Sequence, residues 1–110
     1  MIDQNLPAYA MVQINMKNPD DFMERYAQHV LPMLQRWGVE MIAGSMTPIT
    51  KEGDFDGNWV AILKFANIEA AETWYNSDEY KPYLELRLGE LTDFTSLVFV
   101  EGMQAAGSAA

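Results

Sequence analysis

Hydrophobic and polar positions alternate through AYAMVQIN, residues 8 to 15. This pattern predicts a strand with Ala10, Val12 and Ile14 on one face and Tyr9, Met11, Gln13 and Asn15 on the other. The period changes at NPDD. Asn18 suits a helix N-cap, Pro19 the first helical position, and Asp20 and Asp21 the positive end of the dipole. Phe22, Tyr26, Val30, Met33 and Trp37 follow at helical spacing, predicting one apolar stripe that ends at Gly38. Pro32 lies inside that helix and removes the bond to the Gln28 carbonyl, so a kink is expected near His29.

The run VEMIAGSMTPI predicts a second strand, with Gly44 marking a bulge or a close approach. TKEGDFDGN is a polar turn. WVAILKF predicts a third strand with Trp59, Ala61, Leu63 and Phe65 facing one way and Val60 and Ile62 the other. Asn67 caps a helix, IEAAETWYN, and the turn SDEY leads to a further helix in KPYLELRLGEL. TSLVFVE predicts the last strand. The order β-α-β-β-α-β, with its second helical region split, is that of an α+β ferredoxin-like plait: a four-stranded antiparallel sheet with helices on one face. One domain is expected over residues 1–102, with residues 103–110, rich in Ala, Gly and Ser, as a flexible tail.

The faces of this sheet carry a consequence. Helices cover one side, yet strands one, three and four are apolar on both. A bare second face would expose more apolar surface than a stable monomer usually shows. A second copy of the chain is the simplest cover, so a homodimer paired through its sheet faces is expected.

Composition narrows the partners. With 110 residues, 49% of them hydrophobic, the chain can bury one core. Its net charge of −9, with only seven Lys and Arg, argues against nucleic acid and against anionic membranes. No cysteine is present and His29 is the sole histidine, which excludes disulfides, thiolate chemistry and His-cluster metal sites. No metal site and no cofactor are expected. The carboxylates of Glu52, Asp54 and Asp56 lack the spacing of a calcium loop and read as a solvated turn. No apolar run reaches membrane-spanning length and no secretory signal pattern opens the chain, so a cytoplasmic protein is the expectation.

The stretch LKFANIEAAETWYNSDEYKPYLELR carries a family resemblance. An apolar strand ending in Phe65 leads to a helix with Ala70, Ala71 and the Trp74-Tyr75 pair, then to Ser77, Glu79, Tyr80, Arg87 and a closing VFVEG. With AYAMVQINMKNPDDFMERY at the front, the pattern resembles the family called domain of unknown function 1330, within the dimeric α/β-barrel superfamily, over residues 8 to 102. The resemblance implies the plait and a dimeric α/β barrel. Related dimeric barrels include cofactor-independent monooxygenases, isomerases and lactone-processing enzymes, an analogy of fold alone. Ala43 stands where the family's pattern has a basic residue before the strand-two glycine, so its ligand class need not carry over.

Several residues are candidates for chemistry. His29 lies near the apolar stripe beside Pro32 and suits a proton carrier; a lone boundary histidine that bonds locally is the plainer reading. Arg87 shares a helix face with Tyr80, Leu84 and Leu91. Its fork suits an anionic oxygen, whereas Glu90 and Tyr83 offer a structural ion pair and a stacking surface. Tyr26 suits a donor to a substrate oxygen, or a core tyrosine. Gln13 and Asn15 project from the non-helix face, toward a ligand or across the dimer. Trp74 and Tyr80 suit a ligand wall, although aromatics on short helices usually anchor the helix to its sheet.

Together these readings point to a small-molecule-binding homodimer. One form is a cofactor-independent enzyme of isomerase, lactone-processing or monooxygenase type, acting on a small aromatic, polyketide-like or lactone metabolite. There His29 and Arg87 are catalytic, and Tyr26, Gln13, Asn15, Trp74 and Tyr80 bind substrate. The alternative is a non-catalytic ligand-binding, sensor or accessory protein. Both stay open at the level of sequence.

Overall fold

A computed structural model of the chain describes residues 6–103. Strand β1 (Ala8–Met16) leads into a helix built from α1 (Pro19–Phe22), a π turn (Met23–Ala27) and α2 (Gln28–Arg36). Strands β2 (Glu40–Ser45) and β3 (Trp59–Phe65) follow, then α3 (Ile68–Tyr75), α4 (Lys81–Leu86), a second π turn (Arg87–Leu91) and β4 (Thr92–Glu101). The result is an α+β structure with three helical bodies and one four-stranded antiparallel sheet, ordered β2-β3-β1-β4. Residues 104–110 of the expected tail lie outside the described residues.

The helix starts are those the side chains favour. Asn18 accepts a bond from the Asp21 amide at 3.1 Å, and Asn67 accepts one from the Ala70 amide at 2.8 Å. Gly38 ends the first helix at φ +75, where a Cβ is strained. The irregularity expected near His29 sits slightly earlier, as a π turn over Met23–Ala27. The Gln28 amide donates to the Met23 carbonyl, five residues back. The apolar stripe also ends earlier than its spacing suggests. Val30, Met33 and Leu34 are buried, while Trp37 is exposed and donates its indole N–H to Glu79 at 2.9 Å.

The period-two pattern places the core. Ala8, Ala10, Val12, Ile14 and Met16 of β1 are buried under the helices, as are Ala61, Leu63 and Phe65 of β3. Strand β2 is shorter than predicted. It bulges between Met41 and Ala43, so the irregularity falls at Ile42 rather than Gly44. Gly44 is instead a close approach: a Cβ there would stand 3.1 Å from the Trp59 ring. Strand β4 starts three residues earlier than its sequence suggests, because Phe94 and Thr92 join the ladder beside β1, with Asp93 skipped at a register shift.

Apart from the Phe55 ring, which packs on Phe94 at 5.8 Å, the opposite face of the sheet has no helix over it among the described residues. Register puts Met11 beside Ile62 and Val98, and Tyr9 beside Val100. Met11, Val98 and Val100 stay 48%, 50% and 39% exposed, so this face is an open apolar surface and not a thinly covered core.

Candidate functional site

Between the first helix and the inner face of the sheet lies an apolar cavity of about 150 Å³. Val12, Ile14, Ala61, Leu63 and Leu97 form its floor, Phe22, Ala27 and Val30 its roof, and Trp74 part of its wall. Met23, Leu31, Met41 and Met46 also line it, and each is at least 40% exposed, which locates the mouth between the first helix and edge strand β2. Methionine supplies flexible thioether arms that adapt to a guest of irregular shape.

The ionisable groups in this lining are Tyr26 and Arg87. Each sits on a π turn, a helical irregularity that re-aims side chains and recurs at functional sites. The Tyr26 and Tyr80 hydroxyls are 2.5 Å apart, and the Arg87 Nε–H donates to Tyr80 at 3.4 Å. A second guanidinium nitrogen, Nη1, donates to the hydroxyl of Thr95 on β4. Tyr80 is wholly buried and packs on the Trp74 ring at 4.1 Å, so its hydroxyl is held from behind.

Arg87 is 2% exposed, and no carboxylate pairs with it among the described residues. The ion pair expected with Glu90 does not form. Glu90 bonds Arg25 at 3.2 Å instead, and the other exposed pairs are Arg25 with Asp21 and Arg36 with Glu79. Burial works against charge on Arg87, but the Tyr80 and Tyr26 hydroxyls outweigh it and its pKa lies above the ordinary value. The guanidinium is therefore a fixed cation in an apolar setting, held by the hydroxyls of Tyr80, Thr95 and Tyr26. Burial pushes the Tyr26 hydroxyl well above its usual 10.0, as does Tyr80, with Arg87 pulling the other way. Tyr26 is thus a neutral hydroxyl at physiological pH, able to donate to an anionic oxygen.

Trp74, 1% exposed, lends its side chain to this wall, and its indole N–H has no hydrogen-bond partner among the described residues. Its ring packs against Phe65 at 5.7 Å, while the neighbouring Tyr75 turns to Phe99 at 5.9 Å. Such a division follows from the turn of about 100° between adjacent helical residues.

The predicted site residues thus divide between places. Tyr26, Trp74, Tyr80 and Arg87 come together at the cavity. His29 does not: it is exposed and stacks on Tyr83 at 5.7 Å, on the outer side of the helices. The pairing of His29 with Arg87 in one site therefore fails on geometry. Gln13 and Asn15 lie on the open sheet face, where Asn15 donates to Asp93 at 2.7 Å. They cannot join Arg87, because the sheet stands between them. Thr95 was not among the predicted residues. Its signal is the alternation of β4, which sets one hydroxyl on the inner face in line with Leu97 and Phe99. Among the described residues no cluster of His, Asp and Glu could hold a metal ion, and no helix is long and apolar enough to cross a membrane.

The chain belongs to the family described as Domain of unknown function (DUF1330), whose model matches residues 7–103. Among solved structures it is similar to RPA0582, a protein of unknown function from Rhodopseudomonas palustris. The TM-score is 0.71 at 14% identity, over 92% of this chain and 85% of that one. The methylated form of RPA0582 gives a TM-score of 0.71 at 13% identity, over 91% and 83%. Likeness at such identity concerns the fold alone. No curated protein matches the chain.

Proposed function

We propose that this chain is a small-molecule-binding protein whose site is the cavity closed by Tyr26, Trp74 and Arg87. One observation carries the reading: a buried guanidinium without a carboxylate partner at the edge of an apolar cavity. A purely structural arginine in such a place costs stability for its desolvation and is usually paired. A pocket for an oxygen-bearing guest accounts for both the cation and the apolar lining.

Binding is favoured over catalysis in the form that relied on His29, which lies outside the cavity. A cofactor-independent reaction stays compatible with Tyr26 as a hydroxyl donor and Arg87 as the holder of an enolate-like oxygen. The strand order β2-β3-β1-β4 within β-α-β-β-α-β supports naming the fold a single ferredoxin-like plait. The open apolar sheet face supports a homodimer of such plaits, a dimeric α/β barrel.

The test is a screen of one-ring fragments of all charge types, followed residue by residue by NMR. Perturbations converging on Tyr26, Ala61, Trp74 and Arg87 are the expected result. A screen in which no fragment perturbs these residues rejects the binding reading.

A further inference from the structure

The charge and size of the guest can be drawn from the same geometry. We infer that the cavity takes a monoanion of about one six-membered ring, its single anionic oxygen group facing Arg87 and its ring in the apolar chamber. This inference rests on the binding reading above and adds the ligand's chemistry to it.

Three observations bear on charge. First, Arg87 uses Nε on Tyr80 and Nη1 on Thr95, and Tyr26 is a further hydroxyl within its hydrogen-bonding reach. An arginine offers five N–H donors in a planar fork, so donors remain for an oxygen acceptor. Second, Tyr80, Thr95 and Tyr26 all engage Arg87 through hydroxyls. They orient the fork and leave its positive charge uncancelled, in a chain whose overall charge is −9. Third, the remaining polar groups nearby are hydrogen donors or neutral hydroxyls: Tyr26 at the lining and the unpartnered indole N–H of Trp74. Among the described residues no carboxylate lines the cavity, so a cationic guest finds no counter-charge there.

Size follows from volume. A protein cavity of about 150 Å³ with apolar walls takes a guest of roughly benzene size. One oxygen group fits the polar end, because the rest of the lining is almost wholly apolar. A dianion or a sugar would have to bury oxygens against Val12, Ile14 and Leu63, with no partner for them. The shared chemistry is one apolar ring and one anionic oxygen group, whether carboxylate, phenolate or enolate.

The test compares probes of equal size and different charge on the full chain: benzoate, benzyl alcohol and benzylamine. Affinities are measured by NMR titration at neutral pH, with the Tyr26, Trp74 and Arg87 signals as the readout of place. Benzoate is expected to bind about tenfold or more tightly than benzyl alcohol, as a desolvated charge-assisted bond implies. Benzylamine is expected not to bind. In Arg87→Met the advantage of benzoate disappears while benzyl alcohol still binds; in Arg87→Lys part of the advantage remains. If the wild-type chain takes benzyl alcohol or benzylamine into the cavity as well as benzoate, the charge assignment is overturned and the binding reading stands. If none of the three perturbs the cavity residues, the ring-sized guest is rejected. The broader fragment screen then decides the binding reading separately. The wild-type comparison decides the charge question even if a variant fails to fold.

Discussion

The Tyr26 hydroxyl lies 2.5 Å from the Tyr80 hydroxyl, tying the first π turn to the residue that opens α4. The two partners are not equivalent. Tyr80 also accepts from the Nε–H of the buried Arg87 at 3.4 Å, whereas Tyr26 meets Arg87 only through a weaker contact. Tyr80→Phe therefore removes an acceptor from a buried charge and is expected to cost about 1–3 kcal/mol. Tyr26→Phe leaves that acceptor in place and should cost about 1 kcal/mol or less. Urea unfolding of the two variants measures the difference; equal losses would show that the Arg87 bond carries no weight.

Alkaline stability follows from Tyr26. Its folded pKa is raised above the unfolded value near 10.0, chiefly by burial. A group so shifted contributes fully below its unfolded pKa, and that contribution is lost as pH rises toward the folded pKa. The protein should accordingly keep its stability through neutral pH and lose it from about pH 10 upward. Tyr26→Phe should show a shallower loss in that window. Chemical denaturation at pH 8, 9.5 and 11 supplies the comparison, and identical slopes would remove Tyr26 from the account.

Arg87 permits a separation of stability from function. Arg87→Met removes the desolvation cost of a buried ion together with its bonds to Tyr80 and Thr95, so the two effects oppose each other. Arg87→Met should therefore melt within a few degrees of the wild-type temperature. A loss of about 3 kcal/mol would instead mark the Tyr80 and Thr95 contacts as the reason for the residue, and would make Arg87 a structural group.

How far the sequence reveals these features depends on how local the cause is. Strand β3 is legible to its ends because an apolar run between a polar turn and Asn67 leaves little choice of boundary. Asn18 and Asn67 are legible as caps because a cap bond spans three residues. The site is only partly legible. Arg87 stands out as a cation on an apolar helix face, yet its anchor Thr95 depends on the inner register of β4, where it stands opposite Ile14. His29 misleads for a related reason. Its spacing from Phe22 and Tyr26 assumes regular turns, and the π turn between them and His29 shifts the later residues around the axis. Only the three-dimensional path of that helix puts His29 on Tyr83 and not in the cavity.

Gly57 offers a test of the packing at the sheet end. A Cβ there would stand 2.6 Å from the Ile14 carbonyl oxygen and 2.4 Å from the Phe55 ring. The next residue, Asn58, bonds Met16 through both ends of its amide, at 2.7 and 3.0 Å, so the loop cannot move away freely. Gly57→Ala is expected to destabilise by about 1–3 kcal/mol, the range of an overpacked site. Gly53, where no atom lies within 4 Å of a Cβ, is the control for crowding, although its φ of +93 adds a backbone cost of its own. Thermal melts of both variants should show the larger loss at Gly57, and a tolerated Gly57→Ala would mean that the loop relaxes.

The open sheet face makes the assembly testable. Met11 and Val98 sit side by side in the ladder, each about half exposed, with Val100 next along the same strand and Phe94, 48% exposed, toward the other end. Neighbouring exposed apolar side chains on one face mark an interaction surface, and a standard interface takes about 800 Å² from each partner. Charge placed at its centre is desolvated among Met11 and Ile62 when two copies pack. Val98→Asp should therefore shift a micromolar solution from dimer to monomer in sedimentation equilibrium, while Lys17→Ala, on an exposed residue past the end of β1, should change nothing. The cavity lies across the sheet from this face, so a monomeric Val98→Asp that still binds one-ring fragments would show the site to be complete within one chain. A wild-type chain that sediments as a folded monomer at micromolar concentration would overturn the dimer and leave the apolar face to another partner.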